Sequence, residues 1–191
     1  TDQYVVNEDF EAYLNGLEAV TFSIWCKSHV IGTDSGSLIN TEPDGSDDRN
    51  IRYDASGFMS GHTNVIKCGI TSTEGTYAVE SSEGVQTSAW QHSVMTWQSD
   101  KTVKLYSGGL LDDSFTNHPT LGGALTGYTK LIVGKGGKDT GELGWDGLID
   151  DVAIFSRALD AADITQLYEL GGGSFIISSD PDMLVLWEFD E

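Results

Sequence analysis

The sequence predicts an all-β fold, a two-sheet antiparallel jelly-roll β-sandwich with one short helix near residues 160–170. Val, Ile, Thr, Tyr and Trp recur in runs of about five to eight residues broken by Gly, Asp, Asn and Ser, which is typical of short strands joined by turns. The 23 glycines against 3 prolines fit the same pattern. About a dozen short strands require two packed sheets, because one sheet alone leaves its apolar face in water.

Strands and loops alternate from the N-terminus onward. DQYVV predicts a short strand, NEDFEAYLNGLEA a polar connection, and VTFSIWCKS the clearest early strand. A stretch rich in Gly, Asp, Asn and Ser then predicts one short strand around Ser37 to Asn40 and an exposed loop after it. Because binding residues are more frequent on loops than in cores, this loop is a candidate for function.

The middle of the chain has the pattern of successive hairpins. IRYDASGFMSGH predicts two strands around a turn, and NVIKCGI with TYAVES predicts a further pair. AWQHSVMTWQS and TVKLYSGG predict a hairpin with its turn at Ser99 to Lys101. The segments that follow are predicted as an irregular connection (LDDSFTNHPTLGGALTGYT), a buried strand (KLIVGKG) and a loop (GKDTGELGW).

One helix is predicted after the strand GLIDDVAIF. Asp160 is its N-cap, Asp163 lies three residues further on, and Gly171 ends it. The apolar residues Ile164, Leu167 and Tyr168 share one face. The tail LVLWEFDE predicts a last strand, and we interpret residues 1–191 as a single domain in which residues 184–191 are either the closing strand or the start of a following domain.

The charge balance excludes two classes of partner. Thirty acidic and 10 basic residues give a formal charge of −20, which repels nucleic-acid phosphates and anionic lipid surfaces. No run of about 18 apolar residues is present, so we expect no membrane-spanning helix. Cys26 and Cys68 both lie in apolar runs, which favours two buried free thiols, although a bridge between two core strands is the alternative.

Several of these segments, taken in order, resemble one family. YVV, VTFSIWCKS, WQHSVMTW, KLYSGG, KLIVGKG and above all WDGLIDDVAIFSRALDAADITQLYELG are similar to the laminin-G-like jelly-roll family of the concanavalin A-like lectin and glucanase superfamily. The resemblance covers roughly residues 2–172. IRYD, WQHSVMTW and GKGGKD also resemble domains of marine bacteriophage structural proteins, which implies a virion surface or extracellular location.

Asp150 and Asp151 are adjacent carboxylates in the most specific motif of this resemblance. Successive strand residues face opposite ways, so we expect Asp150 to share the inward face of Val152 and Ile154 while Asp151 points to solvent. A buried carboxylate needs a partner. The resemblance implies a structural Ca²⁺ bound by Asp150, and the alternative is that Asp150 accepts hydrogen bonds from backbone amides of the N-terminal segment.

The sequence lacks the residue patterns that hydrolytic catalysis requires. Glucan hydrolases of the superfamily carry two or three carboxylates alternating along one strand, whereas the nearest groupings, EDFE and EPDGSDD, lie in loop-like sequence. The sequence has no Gly-x-Ser-x-Gly motif, and His92 is predicted as a structural strand histidine. Trp25, Trp90 and Trp97 are predicted in the core or on a sheet face, with sugar stacking as the alternative role.

We therefore predict a non-catalytic, lectin-like surface module, a virion structural or decoration component that contacts glycans or neighbouring capsid proteins and can form homo-oligomers. The alternatives are a laminarinase-like glycoside hydrolase and a pure assembly module without a glycan ligand. Loops at one rim are the predicted contact surface, because they combine carboxylates and amides with an aromatic ring. The predicted ligand residues are Asp44, Asp47, Asp48, Asn50 and Trp145.

Overall fold

The computed structural model describes residues 4–32, 37–41, 50–57, 61–116, 119–135, 144–171 and 180–189. Within these ranges the chain forms two six-stranded antiparallel sheets that pack face to face. The predicted all-β sandwich is confirmed, and so is the short helix that follows its penultimate strand. No helix in the described ranges is long and apolar enough to cross a membrane.

The described chain consists mainly of β-strands, with two short helices. In chain order they are β1 (Val5–Asn7), α1 (Glu11–Leu14), β2 (Ala19–Ser28), β3 (Ser37–Asn40), β4 (Asn50–Ser56), β5 (Thr63–Ser72), β6 (Gly75–Glu80), β7 (Gln91–Gln98), β8 (Thr102–Ser107), β9 (Leu110–Phe115), β10 (Leu131–Val133), β11 (Gly147–Phe155), α2 (Ala161–Leu170) and β12 (Met183–Trp187).

The strand order places distant parts of the chain side by side. The first sheet has the order β1-β10-β3-β4-β5-β6, and the second has the order β12-β11-β2-β7-β8-β9. β12, from the tail, pairs antiparallel with β11 at one edge of the second sheet. The predicted hairpin of β7 and β8 is confirmed, with Lys101 of its turn at a φ of 74°.

The core lies between the two sheets, and alternation along β2 shows how its inner face is built. On β2 the even-numbered residues Val20, Phe22, Ile24 and Cys26 face inward and are buried, as the two-residue period of a strand requires. Trp97 of β7 is fully buried with them. The core is therefore apolar on both inner faces, and its burial supplies the main stabilising free energy of the sandwich.

The two cysteines are free and buried, which confirms the first interpretation of their sequence context. Burial raises the pKa of the Cys26 thiol to about 12, partly offset by hydrogen bonds with Tyr53 and Ser93. Burial raises the pKa of Cys68 as well. Both thiols are therefore protonated and unreactive at neutral pH.

Two short elements were not predicted. β9 falls in the segment predicted as irregular, because an edge strand has no outer neighbour and its leucines, Leu110 and Leu111, are exposed instead of buried. α1 is a single turn in the segment predicted as a polar connection, and it is fixed by burial of Leu14 and by the Glu11 N–H bond to the Thr129 carbonyl. Neither element is long enough for its hydrophobic periodicity to be detected in the sequence.

α2 begins and ends where the sequence predicts. The Asp160 side chain accepts hydrogen bonds from the N–H groups of Ala162 and Asp163, while Asp163 accepts from the Asp160 N–H, so the helix begins with a capping box. The C-cap is Gly171. Ile164 packs with residues of β11 against the outer face of the second sheet.

Arg157, between β11 and α2, joins three acidic residues. Its guanidinium donates to Asp163 over 2.7 Å and to Asp180 over 2.8 Å, and Asp182 lies 3.7 Å away. These pairs hold the pKa of the arginine above its ordinary value and that of Asp180 below its own. Arg157 thus connects the first turn of α2 to the chain entering β12.

An aromatic stack lies between α2 and the second sheet. The Trp25 ring stacks on His92 with centroids 5.2 Å apart and on Tyr168 of α2 with centroids 5.6 Å apart. His92 is 1% exposed, and its Nε2 lies 2.8 Å from the Ser23 hydroxyl. His92 is structural in this position, as predicted, since its ring is enclosed by Trp25, Tyr168 and the sheet.

Burial lowers the pKa of His92 from 6.5 to about 4. The unfolded chain therefore binds the imidazole proton more tightly than the folded chain does. The contribution of His92 to the free energy of unfolding is complete above pH 6.5 and is lost as the pH falls to about 4. We expect wild type to lose about 3 kcal/mol more unfolding free energy across this interval than His92→Gln. Chemical denaturation at several pH values measures the difference. His29→Gln, at an exposed position, is the control, and parallel curves for wild type and His92→Gln would contradict the prediction.

Candidate functional site

The adjacent carboxylates of the sequence motif lie at a β-bulge in β11. Pairing with β2 is regular up to Asp150, opposite Trp25, and resumes at Ala153, opposite Ser23. Two residues of β11 therefore oppose one residue of β2 between these pairs. Asp151, inside the bulge, has a φ of 44°, a left-handed conformation that Asp tolerates better than most side chains.

The bulge reverses the predicted orientations of the two carboxylates. An unbroken strand would place Asp150 on the inward face of Val152 and Ile154. With the extra residue, Asp150 shares the outer face with its cross-strand partner Trp25. Asp151 is buried, with 6% of its surface exposed. The prediction that Asp150 points inward and Asp151 to solvent is therefore wrong.

Asp150 accepts two backbone hydrogen bonds through one oxygen. The N–H of Asp151 donates to Oδ1 over 2.8 Å, and the N–H of Phe189 donates over 3.0 Å. Backbone amides are thus the partners, as one interpretation expected, but one of them comes from the C-terminal tail, and the described part of the N-terminal segment, from Tyr4 onward, donates none. The second bond attaches the chain after β12 to the bulge. Oδ2 accepts no hydrogen bond from the described residues.

A pocket of about 450 Å³ opens beside Asp150. It lies where β1 and β10 of the first sheet meet β11 and the tail of the second sheet, and this volume is in the range of small-ligand sites. Short apolar and glycine segments of these strands line it together with Asp150. The aromatic residues of its wall are Tyr4, Trp90, Trp145 and Phe189.

The aromatic rings of the pocket differ in how firmly they are held. Trp145 is half-buried, packs edge-on against Tyr53 with centroids 4.9 Å apart, and donates its indole N–H to the Leu148 carbonyl over 3.2 Å. Trp90 and Tyr4 are 43% and 48% exposed. Trp145 therefore forms a fixed wall. Trp90 offers an exposed ring to a ligand, whereas the Lys135 ammonium lies over one face of the Tyr4 ring, 4.7 Å from its centroid.

Backbone bonds fix the base of the loop that leads into β11. The Trp145 N–H donates to the Gly134 carbonyl over 2.9 Å, and Lys135 forms an isolated antiparallel β-bridge with Gly144. Gly147 follows, and a Cβ there would lie 2.1 Å from the Lys27 carbonyl oxygen. Glycine is therefore required at this position of the motif by the close approach of β2.

The structure brings together two of the residues predicted for ligand or metal binding. Trp145 and Asp150 line the same pocket. Asn50 is the first residue of β4, where its backbone pairs with Asn40 of β3. Asp44, Asp47 and Asp48 lie outside the described residues, so their predicted roles stay predictions.

Two contributors to the pocket, Tyr4 and Phe189, were not predicted as ligand residues, and Trp90 was predicted in the core or on a sheet face with sugar stacking as its alternative role. Trp90 directly precedes β7, and its sequence context resembles that of the core Trp97 in the same segment. The alternation of residues in the sequence does not show whether an aromatic ring at the end of a strand is exposed or buried. Tyr4 and Phe189 come from opposite ends of the described chain, so only the tertiary fold unites them.

The described residues supply one carboxylate oxygen for a cation at this place. Asp150 Oδ2 faces no hydrogen-bond donor there, and Ca²⁺ binds carboxylate and carbonyl oxygens. No cluster of three or more His, Cys, Asp or Glu residues that could hold a metal occurs in the described ranges. A calcium ion at Asp150 would therefore take its other ligands from backbone carbonyls, water or the remaining segments.

The acidic groups considered for glucan hydrolysis do not share a described strand. Glu8 and Asp9 lie in the turn after β1, and Glu11 begins α1. The Asp9 N–H donates to the Asn7 side chain over 3.2 Å, which fixes a local turn. Asp150 and Asp151 are consecutive residues, with Asp151 inside the bulge, so they do not form the alternating carboxylate row of a retaining glucanase either.

The chain belongs to the laminin G-like family (Laminin_G_3) of the concanavalin A-like lectin/glucanases superfamily, whose family model matches residues 1–165. A search of curated proteins finds no match. The expected membership in this superfamily is thereby confirmed.

Several solved structures share the fold at low sequence identity. Domain 4 of an extracellular arabinanase from Geobacillus stearothermophilus, solved in complex with arabinotriose, has a TM-score of 0.57 and 20% identity over 82% of this chain and 69% of that one. A putative carbohydrate binding protein from Bacteroides ovatus has a TM-score of 0.61 and 15% identity over 90% of this chain. The pentraxin of Limulus polyphemus has a TM-score of 0.61 and 14% identity over 83% of this chain and 73% of that one.

The present chain spans 45% of the length of the Bacteroides ovatus protein. At identities of 20% and below, these similarities establish the fold and leave the ligand to be argued from the pocket.

The hydrogen bonds of Asp150 give a stability test. In the presence of a chelator, we expect Asp150→Ala to lower the free energy of unfolding by about 2 kcal/mol, because two amide donors lose their charged acceptor. Asp150→Asn should lose much less, since its amide oxygen can still accept from Asp151 and Phe189. Urea denaturation measures both. Asp146→Ala, which changes an exposed side chain nearby, is the control. Equal losses of unfolding free energy in Asp150→Ala and Asp150→Asn would contradict the role of Asp150 as hydrogen-bond acceptor.

Proposed function

We propose that this chain is a non-catalytic glycan-binding module whose ligand occupies the pocket between the β1/β10 edge and β11. The observation that carries the proposal is that two exposed aromatic residues, Tyr4 and Trp90, line one pocket together with Asp150, whose Oδ2 accepts no hydrogen bond from the described residues. Sugars present apolar ring faces and outward hydroxyls, so rings that stack and an oxygen that accepts are the groups such a ligand requires.

The similar structures support this proposal. The arabinanase domain was solved with arabinotriose, and the Bacteroides ovatus protein is described as a putative carbohydrate binding protein. The arabinanase domain is thus an example of this fold with a bound sugar. The pocket of the present chain adds the specific groups from its own sequence, mainly Trp90, Trp145 and Asp150.

A non-catalytic role fits the carboxylates of the pocket. Retaining and inverting glycosidases both need a pair of carboxyl groups across the scissile bond. Among the described lining residues, Asp150 is the one carboxylate, and its Oδ1 is used by two backbone amides. Release of reducing sugar from β-glucan, agar or alginate, abolished by a single carboxylate substitution, would instead favour the hydrolase alternative.

Trp90 provides the sharpest test of glycan binding. We expect Trp90→Ala to weaken the affinity for a bound polysaccharide by about tenfold, because a stacking face at the pocket is lost. Trp145→Ala should weaken it as well. Affinity electrophoresis against a panel of neutral and acidic polysaccharides, followed by calorimetry, measures the change.

Tyr77→Ala is the matched control for this experiment. Tyr77 is 47% exposed on β6, at the edge of the first sheet, and is absent from the pocket wall. Its loss should leave affinity unchanged. Equal affinities of wild type and Trp90→Ala, or an equal loss in Tyr77→Ala, would argue against the pocket as the binding site.

We further propose a structural Ca²⁺ at Asp150, with Oδ2 as its carboxylate ligand. Ion binding to the folded state alone adds about 2.7 kcal/mol when the ion exceeds its dissociation constant a hundredfold. A chelator should then lower the melting temperature of wild type by roughly 5–10 °C. The shift should vanish in Asp150→Asn and persist in Asp146→Asn. Identical melting temperatures with and without chelator would exclude the ion.

The biological setting that we propose is extracellular or on a virion surface, where the module contacts glycans or neighbouring structural proteins. Its net charge of −20 keeps it away from anionic membranes and nucleic acid and suits a salt-rich exterior. A glycan array without any binding, together with a large protein interface in the native particle, would favour the pure assembly alternative.

A further inference from the structure

We infer that the pocket, when no divalent cation is bound at Asp150, selects neutral glycans over anionic ones, with Asp150 as the residue that determines this preference. The inference rests on the proposed function, since it concerns the ligand of the same pocket. Its basis is the charge of the wall. Among the described lining residues, Asp150 carries the one charged side chain, and the others are aromatic, aliphatic or glycine.

No described cation lies within ion-pair distance of Asp150, although Lys27 of β2 lies two residues from its cross-strand partner Trp25. Asp150 forms no ion pair within the described ranges, and its contacts there are the two amide hydrogen bonds to Oδ1. Neutral amide dipoles orient the carboxylate without cancelling its charge. An anionic sugar bound against this wall would therefore place a like charge beside Asp150, which is unfavourable at short range.

Lys135 is a cation beside the pocket residue Tyr4. The Lys135 ammonium lies 4.7 Å from the centroid of the Tyr4 ring, in a cation–π contact. His29, near the start of β11, pairs with Asp146 over 3.0 Å. The formal charge of −20 on the whole chain adds a long-range potential that repels polyanions before they reach the pocket.

A neutral sugar fits the same groups without this penalty. Asp150 Oδ2 is available to accept a hydrogen bond from a sugar hydroxyl, and hydrogen bonds to a charged acceptor are stronger than those between neutral groups. The free face of Trp90 can stack on the sugar ring. Recognition by acceptor and aromatic groups alone favours hydroxyl-rich, uncharged ligands.

The test compares ligands that share a backbone and differ in charge. The pairs are polygalacturonate with its fully methyl-esterified form, and κ-carrageenan with its desulfated form, with arabinan as a further neutral probe. All measurements are made with a chelator, so that no divalent cation offsets the charge of Asp150. We expect at least one neutral member to bind, and its charged partner to bind at least about fivefold more weakly at low salt.

Variants separate the local charge from the total charge. Asp150→Asn should raise the affinity for the charged member of each pair. The ratio of the neutral to the charged affinity should therefore fall at least about threefold. Asp146→Asn removes the same unit of charge from an exposed side chain outside the pocket wall and should leave the ratio unchanged. Raising the salt concentration with wild type should narrow the ratio in the same direction, which gives a second readout that needs no substitution.

Three results are distinguishable. Binding of the neutral members with rejection of the charged ones supports the inference. Equal or tighter binding of the charged members, lost in Trp90→Ala, would overturn the inference and leave the proposed glycan site in place. Absence of binding to every polysaccharide would overturn the proposed function, and the inference with it.

Discussion

The β-bulge in β11 is the constraint on which the candidate site depends. By adding one residue opposite β2, it keeps Val152 and Ile154 in the core while it rotates Asp150 to the other face. The same carboxylate then reaches the Phe189 N–H, so the tail is attached beside the pocket that β1 and β10 close from the other sheet. A regular strand would have pointed Asp150 into the apolar core, whereas in the bulged strand Asp151 is the buried carboxylate.

The outer face of the second sheet is organised around the same pair of strands. Trp25, the cross-strand partner of Asp150, stacks on both His92 and Tyr168, so α2 is positioned by aromatic contacts as well as by its apolar face. Arg157 connects the start of this helix to the chain entering β12. The motif that is most specific in the sequence thus unites a bulge, a helix cap and a tail strand in one local structure.

The fold could be predicted from the sequence to a large extent, because two-residue alternation and turn residues are local signals. The capping box of α2 and the hairpin of β7 and β8 are examples in which local chemistry decides the structure. The orientation of Asp150 could not be predicted, since parity assumes an unbroken strand and nothing in the letters LIDDV marks the extra residue. The pocket required Tyr4, Trp90 and Phe189 to meet, which depends on sheet order.

The central claim, that the aromatic pocket binds a glycan, is tested most directly by the indole N–H resonances of the five tryptophans. These are followed by nuclear magnetic resonance while a neutral oligosaccharide, arabinotriose first, is added to saturation. The account predicts shifts of the Trp90 and Trp145 signals, and an unchanged signal for Trp97, whose indole donates to the Leu121 carbonyl in the core over 2.9 Å. Shifts confined to Trp25, with Trp90 and Trp145 unmoved by any oligosaccharide that binds, would contradict it.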